Sequence, residues 1–104
     1  MDPRTVQERR GQVQLVDVRE PDEWAVGYIE GSTHIPLGVL PVRLGELDPA
    51  VPVVTVCRSG GRAAQAAELL TERGLSASVL DGGITRWQSE RLPLVTPDTR
   101  PDPA

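Results

Sequence analysis

Apolar residues occur along the chain in short runs separated by polar turns, a pattern that predicts alternating strands and helices. Residues 13–18 alternate and then run apolar, and residues 53–56 read VVTV; both are typical of buried strands. A third strand is expected over residues 76–80, and a brief one at His34 and Ile35. Strands that alternate with helices predict a parallel sheet covered on both faces, and therefore a three-layer α/β/α fold.

Helix signals lie between these runs. Asp2 followed by Pro3 is a helix start, and this first helix is expected to continue to about residue 10. A helix is also expected within residues 37–47, where Pro41 and Gly45 interrupt it. Three further helices are predicted: a short one that begins at residue 21, one over residues 63–72 and one over residues 84–90.

Length and composition indicate one small domain followed by a tail. The chain has 104 residues, of which 38% are hydrophobic and 25% are charged, as expected for a globular domain with one modest core. We expect the domain to occupy residues 1–92. Residues 93–104 contain four prolines and are expected to form a Pro-rich, disordered tail.

Charge and composition argue against several classes of partner. The net charge is −4, all eleven cations are arginine, and only three residues are aromatic, so the chain lacks the basic surface and stacking residues of a nucleic-acid-binding protein. Its apolar runs are far shorter than the ~20 residues that span a bilayer. One cysteine cannot form an internal disulfide. We therefore expect a cytoplasmic protein that binds neither nucleic acid nor membrane.

The strongest chemical signal is the segment CRSGGR at residues 57–62, which connects a predicted strand to a predicted helix and holds the only cysteine, Cys57. Backbone N–H groups in such a loop can turn inward and form an anion-binding nest. The following helix adds its positive N-terminal end. Both favour the thiolate, which is the reactive form of cysteine. Cys57 also lies at the carboxyl end of a strand, where parallel sheets bind their ligands. We therefore predict that Cys57 is a nucleophile.

Four segments resemble the motifs of rhodanese-like sulfurtransferase domains, in the same order and at the same spacing. They are DVREPDEW at residues 17–24, GYIEGSTHIP at 27–36, CRSGGR at 57–62 and LDGGITRW at 80–87, so the resemblance covers about residues 1–90. Tyr28 departs from the family, which commonly has histidine there, and His34 stands where asparagine is common. The resemblance implies a sheet of four to five parallel strands, in which the family's first edge strand is missing or reduced here.

The resemblance also implies the activity of a thiosulfate sulfurtransferase. The Cys57 thiolate would attack the outer sulfur of a donor such as thiosulfate and release sulfite. The resulting persulfide would pass its sulfur to cyanide or to a thiol, on a small molecule or on a protein acceptor. No cofactor is implied, and one cysteine with one histidine falls short of the usual ligand sets for a metal.

The remaining loop residues are expected to bind substrate. Arg58 can face the pocket mouth and attract an anionic donor, or it can be a solvated side chain without a role. Ser59 either donates a hydrogen bond to the terminal sulfur or caps the helix. Arg62 either contacts substrate or bonds loop carbonyls or a carboxylate. The backbone N–H groups from Arg58 to Arg62, including those of Gly60 and Gly61, are expected to hold the persulfide.

Three charged residues are expected to form a scaffold near the loop. Asp17 and Arg19 follow a strand end, and a buried charge of this kind needs a partner. Arg19 is expected to pair with Glu23 or with another carboxylate. The two tryptophans, Trp24 and Trp87, are expected to pack in the core or at the pocket rim. His34 is assigned a structural role because a thiolate held by backbone N–H groups needs no general base.

Two rival functions and one variant of the predicted function stay open. Protein-tyrosine phosphatases and arsenate reductases use a longer loop, whereas only four residues separate Cys57 from Arg62. This shorter loop can surround one sulfur atom but is too tight for a phosphate group. Domains of this fold also serve as non-catalytic interaction or regulatory modules. A persulfide carrier for one dedicated partner would use the same residues as a free thiosulfate enzyme.

Overall fold

Four parallel strands form the centre of the protein, seen in a computed structural model that describes residues 1–97. The strand order is β2-β1-β3-β4, and every neighbouring pair is parallel. The strands are β1 (Gln14–Asp17), β2 (Thr33–His34), β3 (Val53–Val56) and β4 (Ala77–Val79). The predicted strands are therefore confirmed, with ends that shift by one residue.

Helices connect the strands, close to the predicted positions. They are α1 (Pro3–Glu8), α2 (Pro21–Val26), α3 (Gly61–Glu72) and α4 (Gly83–Ser89). As its sequence predicts, α1 begins with Asp2, whose side chain accepts a hydrogen bond from the Thr5 backbone N–H at 3.0 Å. Within residues 37–47, where an interrupted helix is expected, the helical structure is of the 3₁₀ rather than the α type. Two short 3₁₀ helices, Leu37–Val42 and Leu44–Glu46, stand there, and Pro41 inside the first one has no N–H to donate.

Side chains alternate between the two faces of the sheet and build a hydrophobic core on each, which confirms the three-layer α/β/α fold. One core lies under α3 and the first 3₁₀ helix, and the other lies under α1 and α4. The first core consists of Val16, Val18, Ile35, Leu40, Leu47, Val53, Cys57, Ala63, Ala66 and Leu70. The second consists of Val6, Leu15, Ile29, Val54, Val56, Leu80, Ile84 and Trp87.

A single residue pairs with the outer edge of β4. The backbone N of Met1 donates to the Val79 carbonyl at 2.8 Å, and the Asp81 N–H donates to the Met1 carbonyl at 2.9 Å. This alternation is the hydrogen-bond pattern of adjacent parallel strands. Within residues 1–97 the sheet has four strands, and the edge strand expected to be missing or reduced is represented by Met1 alone.

Residues just beyond the expected boundary at residue 92 contact the rest of the chain. The Trp87 indole N–H donates to the Pro93 carbonyl at 2.9 Å, and the backbones of Tyr28 and Val95 exchange two hydrogen bonds of 2.8 and 2.9 Å. Apolar Leu94, set between the prolines, packs against the second core and explains why the chain stays in contact here. Residues 98–104 of the predicted tail lie outside the described residues. In the part of the chain that is described, no helix combines the length and the apolar character needed to cross a bilayer.

Helix α4 approaches the 57–62 loop closely because it starts with glycine. The N–H groups of Ile84 and Thr85 donate to the carbonyls of Cys57 and Arg58, at 2.9 and 3.0 Å. Gly83 has a φ of 58°, and a Cβ placed on it would collide with the carbonyl oxygens of those two loop residues. Only glycine permits both this backbone conformation and this approach.

Substitution of Gly83 tests this contact. We expect Gly83→Ala to lower the free energy of unfolding by about 2–4 kcal/mol, because it adds left-handed strain to a steric collision. Gly38→Ala is the matched control, since a Cβ at that position meets no atom within 4 Å. Urea unfolding measures both variants, and an equal effect of the two would contradict this account of α4.

Candidate active site

The Cys57 thiol lies at the centre of a loop formed by the end of β3 and the beginning of α3. Two backbone N–H groups point at Sγ, that of Gly60 at 3.0 Å and that of Ala63 at 3.3 Å. Gly60 has a φ of 124°, a conformation that side chains rarely tolerate. Ala63 belongs to the first helical turn, whose N–H groups have no partner inside the helix. Cys57 is only 1% exposed, so these donors act on a sulfur largely removed from water.

Of the two N–H groups that donate to the sulfur, that of Gly60 was predicted from the sequence and that of Ala63 was not. Gly60 lies within the predicted range, whereas Ala63 lies one residue beyond Arg62. The N–H groups of Ser59, Gly61 and Arg62 donate no hydrogen bond within residues 1–97. A helix N-terminus that follows a cysteine so closely is the sequence signal that would have identified Ala63. The Ser59 side chain does not cap α3.

Arg62 is held by a carboxylate from α2. Its Nη1 and Nη2 donate to Oε1 and Oε2 of Glu23 at 2.6 and 2.8 Å. Glu23 Oε1 also accepts the Glu20 backbone N–H at 3.0 Å, which closes a capping box at the start of α2. One carboxylate thus ties the start of α2 to the start of α3. Hydrogen bonding to Arg62, together with the backbone bond and the nearby arginine charges, lowers the pKa of Glu23 to about 2.

Asp17 and Arg19 form a buried pair beside this contact. Nε and Nη2 of Arg19 donate to the Asp17 carboxylate at 2.8 to 3.0 Å, and Nη2 also reaches the Gly27 carbonyl at 2.7 Å. The partner of Arg19 is therefore Asp17, one of the alternatives expected, while Glu23 contributes only its backbone carbonyl, at 3.3 Å. A buried ion pair is tolerated when its remaining polar atoms are also bonded, as they are here.

Three aromatic rings stack at α2. The Trp24 ring lies between Tyr28, at a centroid distance of 3.8 Å, and His34, at 4.7 Å, and all three planes are nearly parallel. Nε2 of His34 donates to the Arg19 carbonyl at 2.7 Å. Tyr28 and His34 are the two positions that depart from the family motif, so both departures contact the same tryptophan. Trp87 lies in the second core, as expected.

A cavity of about 520 Å³ lies beside the loop. Its lining consists of Arg19, Glu23, Val26, Gly27, Arg58, Ile84, Thr85, Gln88 and Leu94. Cys57 is not part of this lining. Arg58 is the loop residue exposed in the cavity, and its side chain makes no ion pair with another residue of the described chain. Among residues 1–97, no cluster of three or more His, Cys, Asp or Glu side chains is placed to hold a metal ion.

The chain is similar in sequence and in fold to rhodanese-like proteins. A family model described as a rhodanese-like domain matches residues 2–90. A protein named sulfurtransferase from Allochromatium vinosum is 39% identical over 87 residues, which are 83% of this chain and 81% of that protein. The thiosulfate sulfurtransferase GlpE of Pseudomonas aeruginosa is 37% identical over 82 residues, or 78% and 74% of the two chains. A crystal structure of a rhodanese-related protein from Thermoplasma volcanium has a TM-score of 0.88 at 32% identity and covers 91% of this chain and 95% of its own.

The low pKa of Glu23 predicts how acid weakens the fold. A carboxylate whose pKa falls from 4.5 to about 2 on folding stabilises the native state above pH 4.5, and this contribution disappears as the pH falls towards 2. Allowing for solvent screening, we expect Glu23→Gln to cost about 1–2 kcal/mol at pH 7, and we expect the difference from the unsubstituted protein to shrink between pH 4.5 and 2.

Urea unfolding at a series of pH values measures this difference. Glu68→Gln on α3 is the matched control, because Glu68 is exposed and forms no ion pair within residues 1–97. A Glu23 difference that stays constant over the whole pH range would show that the charge of this carboxylate does not stabilise the fold.

Proposed function

The chain belongs to the rhodanese-like domain family, and we propose that it is a sulfurtransferase that carries sulfane sulfur as a persulfide on Cys57. The observation that carries this proposal is the convergence of the Gly60 and Ala63 N–H groups on Sγ inside a six-residue loop. Backbone N–H groups arranged in this way can bind an anionic sulfur, and the sulfur anion is the nucleophilic form of cysteine.

In the first step of the proposed reaction, the Cys57 thiolate attacks the outer sulfur of thiosulfate. A bond forms between Sγ and that sulfur, the sulfur–sulfur bond of the donor breaks, and sulfite leaves with the electron pair. The Arg58 guanidinium, exposed beside the loop, attracts the dianionic donor. The N–H groups of Arg58, Ser59, Gly61 and Arg62, which donate no hydrogen bond within residues 1–97, would bind the terminal sulfur.

In the second step, cyanide or a thiolate attacks the terminal sulfur and the Cys57 thiolate is regenerated. The chain has one cysteine, so no second thiol of the same chain can discharge the persulfide, and an external acceptor is required. That acceptor is a small molecule or a protein thiol. We place the reaction in the cytoplasm, because a chain with one cysteine has no internal disulfide to maintain.

Glu23 and Asp17 act as scaffold in this proposal. Glu23 fixes the guanidinium of Arg62, so Arg62 contributes its backbone N–H and its fixed position rather than a free cation. Asp17 fixes Arg19, which in turn bonds the backbone of Glu23 and Gly27. Substrate contact is assigned to Arg58, Ser59, Gly60 and Gly61, together with the Arg62 backbone.

The alternative is a non-catalytic interaction module of the same fold. The presence of Cys57, with two N–H donors directed at its sulfur, favours chemistry over binding alone. A phosphatase is disfavoured because four residues between Cys57 and Arg62 leave room for one sulfur atom rather than a phosphate group.

Intact mass spectrometry tests the proposal. After incubation with thiosulfate and desalting, the protein is expected to gain one sulfur atom, ~32 Da, through this double displacement. Cyanide is expected to remove that mass and to form thiocyanate. Cys57→Ser, with a matching thermal unfolding midpoint, is the control and is expected to gain nothing. A protein that gains no mass, or a serine variant that gains the same mass, would refute the assignment.

A further inference from the structure

Thr55 is the one polar side chain in β3, and it is completely buried. The strand reads VVTV, and all four of its residues are shielded from water. Because side chains alternate along a strand, Thr55 faces the same side of the sheet as Val53 and Cys57, which belong to the core under α3. A buried hydroxyl costs free energy unless it is hydrogen-bonded, and valine would fill the same volume without that cost. Packing alone therefore does not account for the hydroxyl.

The Thr55 hydroxyl is bonded to the first turn of α3. Its Oγ1 lies 2.8 Å from the Ala63 carbonyl oxygen and 3.3 Å from that of Ser78 in β4. A hydroxyl has a single proton to donate, and the shorter distance assigns this proton to Ala63. Thr55 thus joins the strand that ends just before Cys57 to the helix that begins after the 57–62 loop has turned.

The peptide group that Thr55 contacts also belongs to the sulfur site. It consists of the Ala63 carbonyl and the Ala64 N–H, and this N–H donates to the Gly60 carbonyl at 2.9 Å. The planar group is therefore held at both ends. Gly60 and Ala63, whose carbonyls take part in these two bonds, are also the residues whose own N–H groups donate to Sγ of Cys57, at 3.0 and 3.3 Å.

The chain of hydrogen bonds continues to a third N–H group of the loop. The Gly60 carbonyl shares its peptide group with the Gly61 N–H, which donates no hydrogen bond within residues 1–97. Each bond in such a chain polarises the next one and strengthens it. The chain that starts at the Thr55 hydroxyl therefore ends on one of the N–H groups assigned to the terminal sulfur of the persulfide.

We propose that Thr55 is a positioning residue for the sulfur chemistry of Cys57. Its hydroxyl holds the first turn of α3 so that the Gly60 and Ala63 N–H groups point at Sγ, although Thr55 itself touches neither the sulfur donor nor the acceptor. Hydrogen bonds weaken steeply when their geometry is lost, so a small shift of this turn weakens both donors together. This inference rests on the proposed function and adds a residue to its machinery.

Removal of the hydroxyl with little change in volume tests the proposal. The rate at which thiosulfate adds ~32 Da to Thr55→Val is measured by mass spectrometry over a series of thiosulfate concentrations. We expect the maximal loading rate to fall about threefold to tenfold, the value of one hydrogen bond. We expect the half-saturating thiosulfate concentration to stay the same, because Arg58, which attracts the donor, is untouched. Thr55→Ser keeps the hydroxyl and is expected to recover most of the rate.

Ser32 gives the matched control. Its Oγ donates to the Ile29 carbonyl at 2.6 Å, and Ser32 lies outside both the 57–62 loop and the cavity. Ser32→Ala thus removes a bond of the same kind and is expected to load at the rate of the unsubstituted protein, even if its thermal unfolding midpoint falls as far as that of Thr55→Val. If Thr55→Val does not fold, Thr55→Ala replaces it. A loading rate that is unchanged without the hydroxyl, or that Thr55→Ser does not recover, would overturn the positioning role.

A second measurement follows the geometry of the loop without sulfur transfer. An amide proton moves upfield in the NMR spectrum when its hydrogen bond weakens, so we expect upfield shifts for Gly60 and Ala63 in Thr55→Val but not in Ser32→Ala. If thiosulfate loads none of the proteins, the proposed donor reaction fails, and these shifts still decide whether Thr55 aligns the loop. Normal loading of Thr55→Val with unmoved amide protons refutes the positioning role and leaves the donor reaction standing.

Discussion

Two backbone N–H groups directed at one sulfur atom are the constraint on which the rest of this structure depends. For Gly60 and Ala63 to reach Sγ of Cys57 together, β3 must end and α3 must begin within a few residues. That turn needs glycine at position 60, where φ is 124°. It also needs α4 to secure the loop carbonyls from outside, which it does with the N–H groups of Ile84 and Thr85. The sulfur is thus held by main-chain donors whose positions depend on the glycines at 60 and 83.

Glu23 links this loop to the second layer of support. Its carboxylate closes the capping box of α2 and binds Arg62 with both oxygens, so the positions of α2 and α3 depend on each other. Trp24, the next residue, is stacked between two rings that fix the same helix. This arrangement leaves Arg58 as the loop's free cation within the described chain. Arg62 is fixed by Glu23, whereas the Arg58 side chain is exposed at the cavity.

Much of the fold follows from the sequence, because strand runs and helix starts are local signals. The VVTV run predicts β3, and the Asp2-Pro3 helix start predicts the beginning of α1. Contacts between segments that are distant in the chain could not be predicted in this way, because they depend on how the helices and strands pack together. These contacts are the Ala63 N–H donor to Sγ, the stacking of Tyr28 and His34 on Trp24, and the packing of residues 93–95. The two 3₁₀ helices differ from a regular α-helix because Pro41 lacks an N–H and Gly38 and Gly45 disfavour the helix.

We propose that this loop holds one sulfur atom beyond Sγ of Cys57, and a crystal structure of the protein after exposure to thiosulfate is the decisive test. We expect additional density for a single sulfur bonded to Sγ, within hydrogen-bonding distance of the N–H groups of the 57–62 loop. An unmodified Cys57 sulfur in protein whose mass has increased, or a terminal sulfur turned away from those N–H groups, would contradict it.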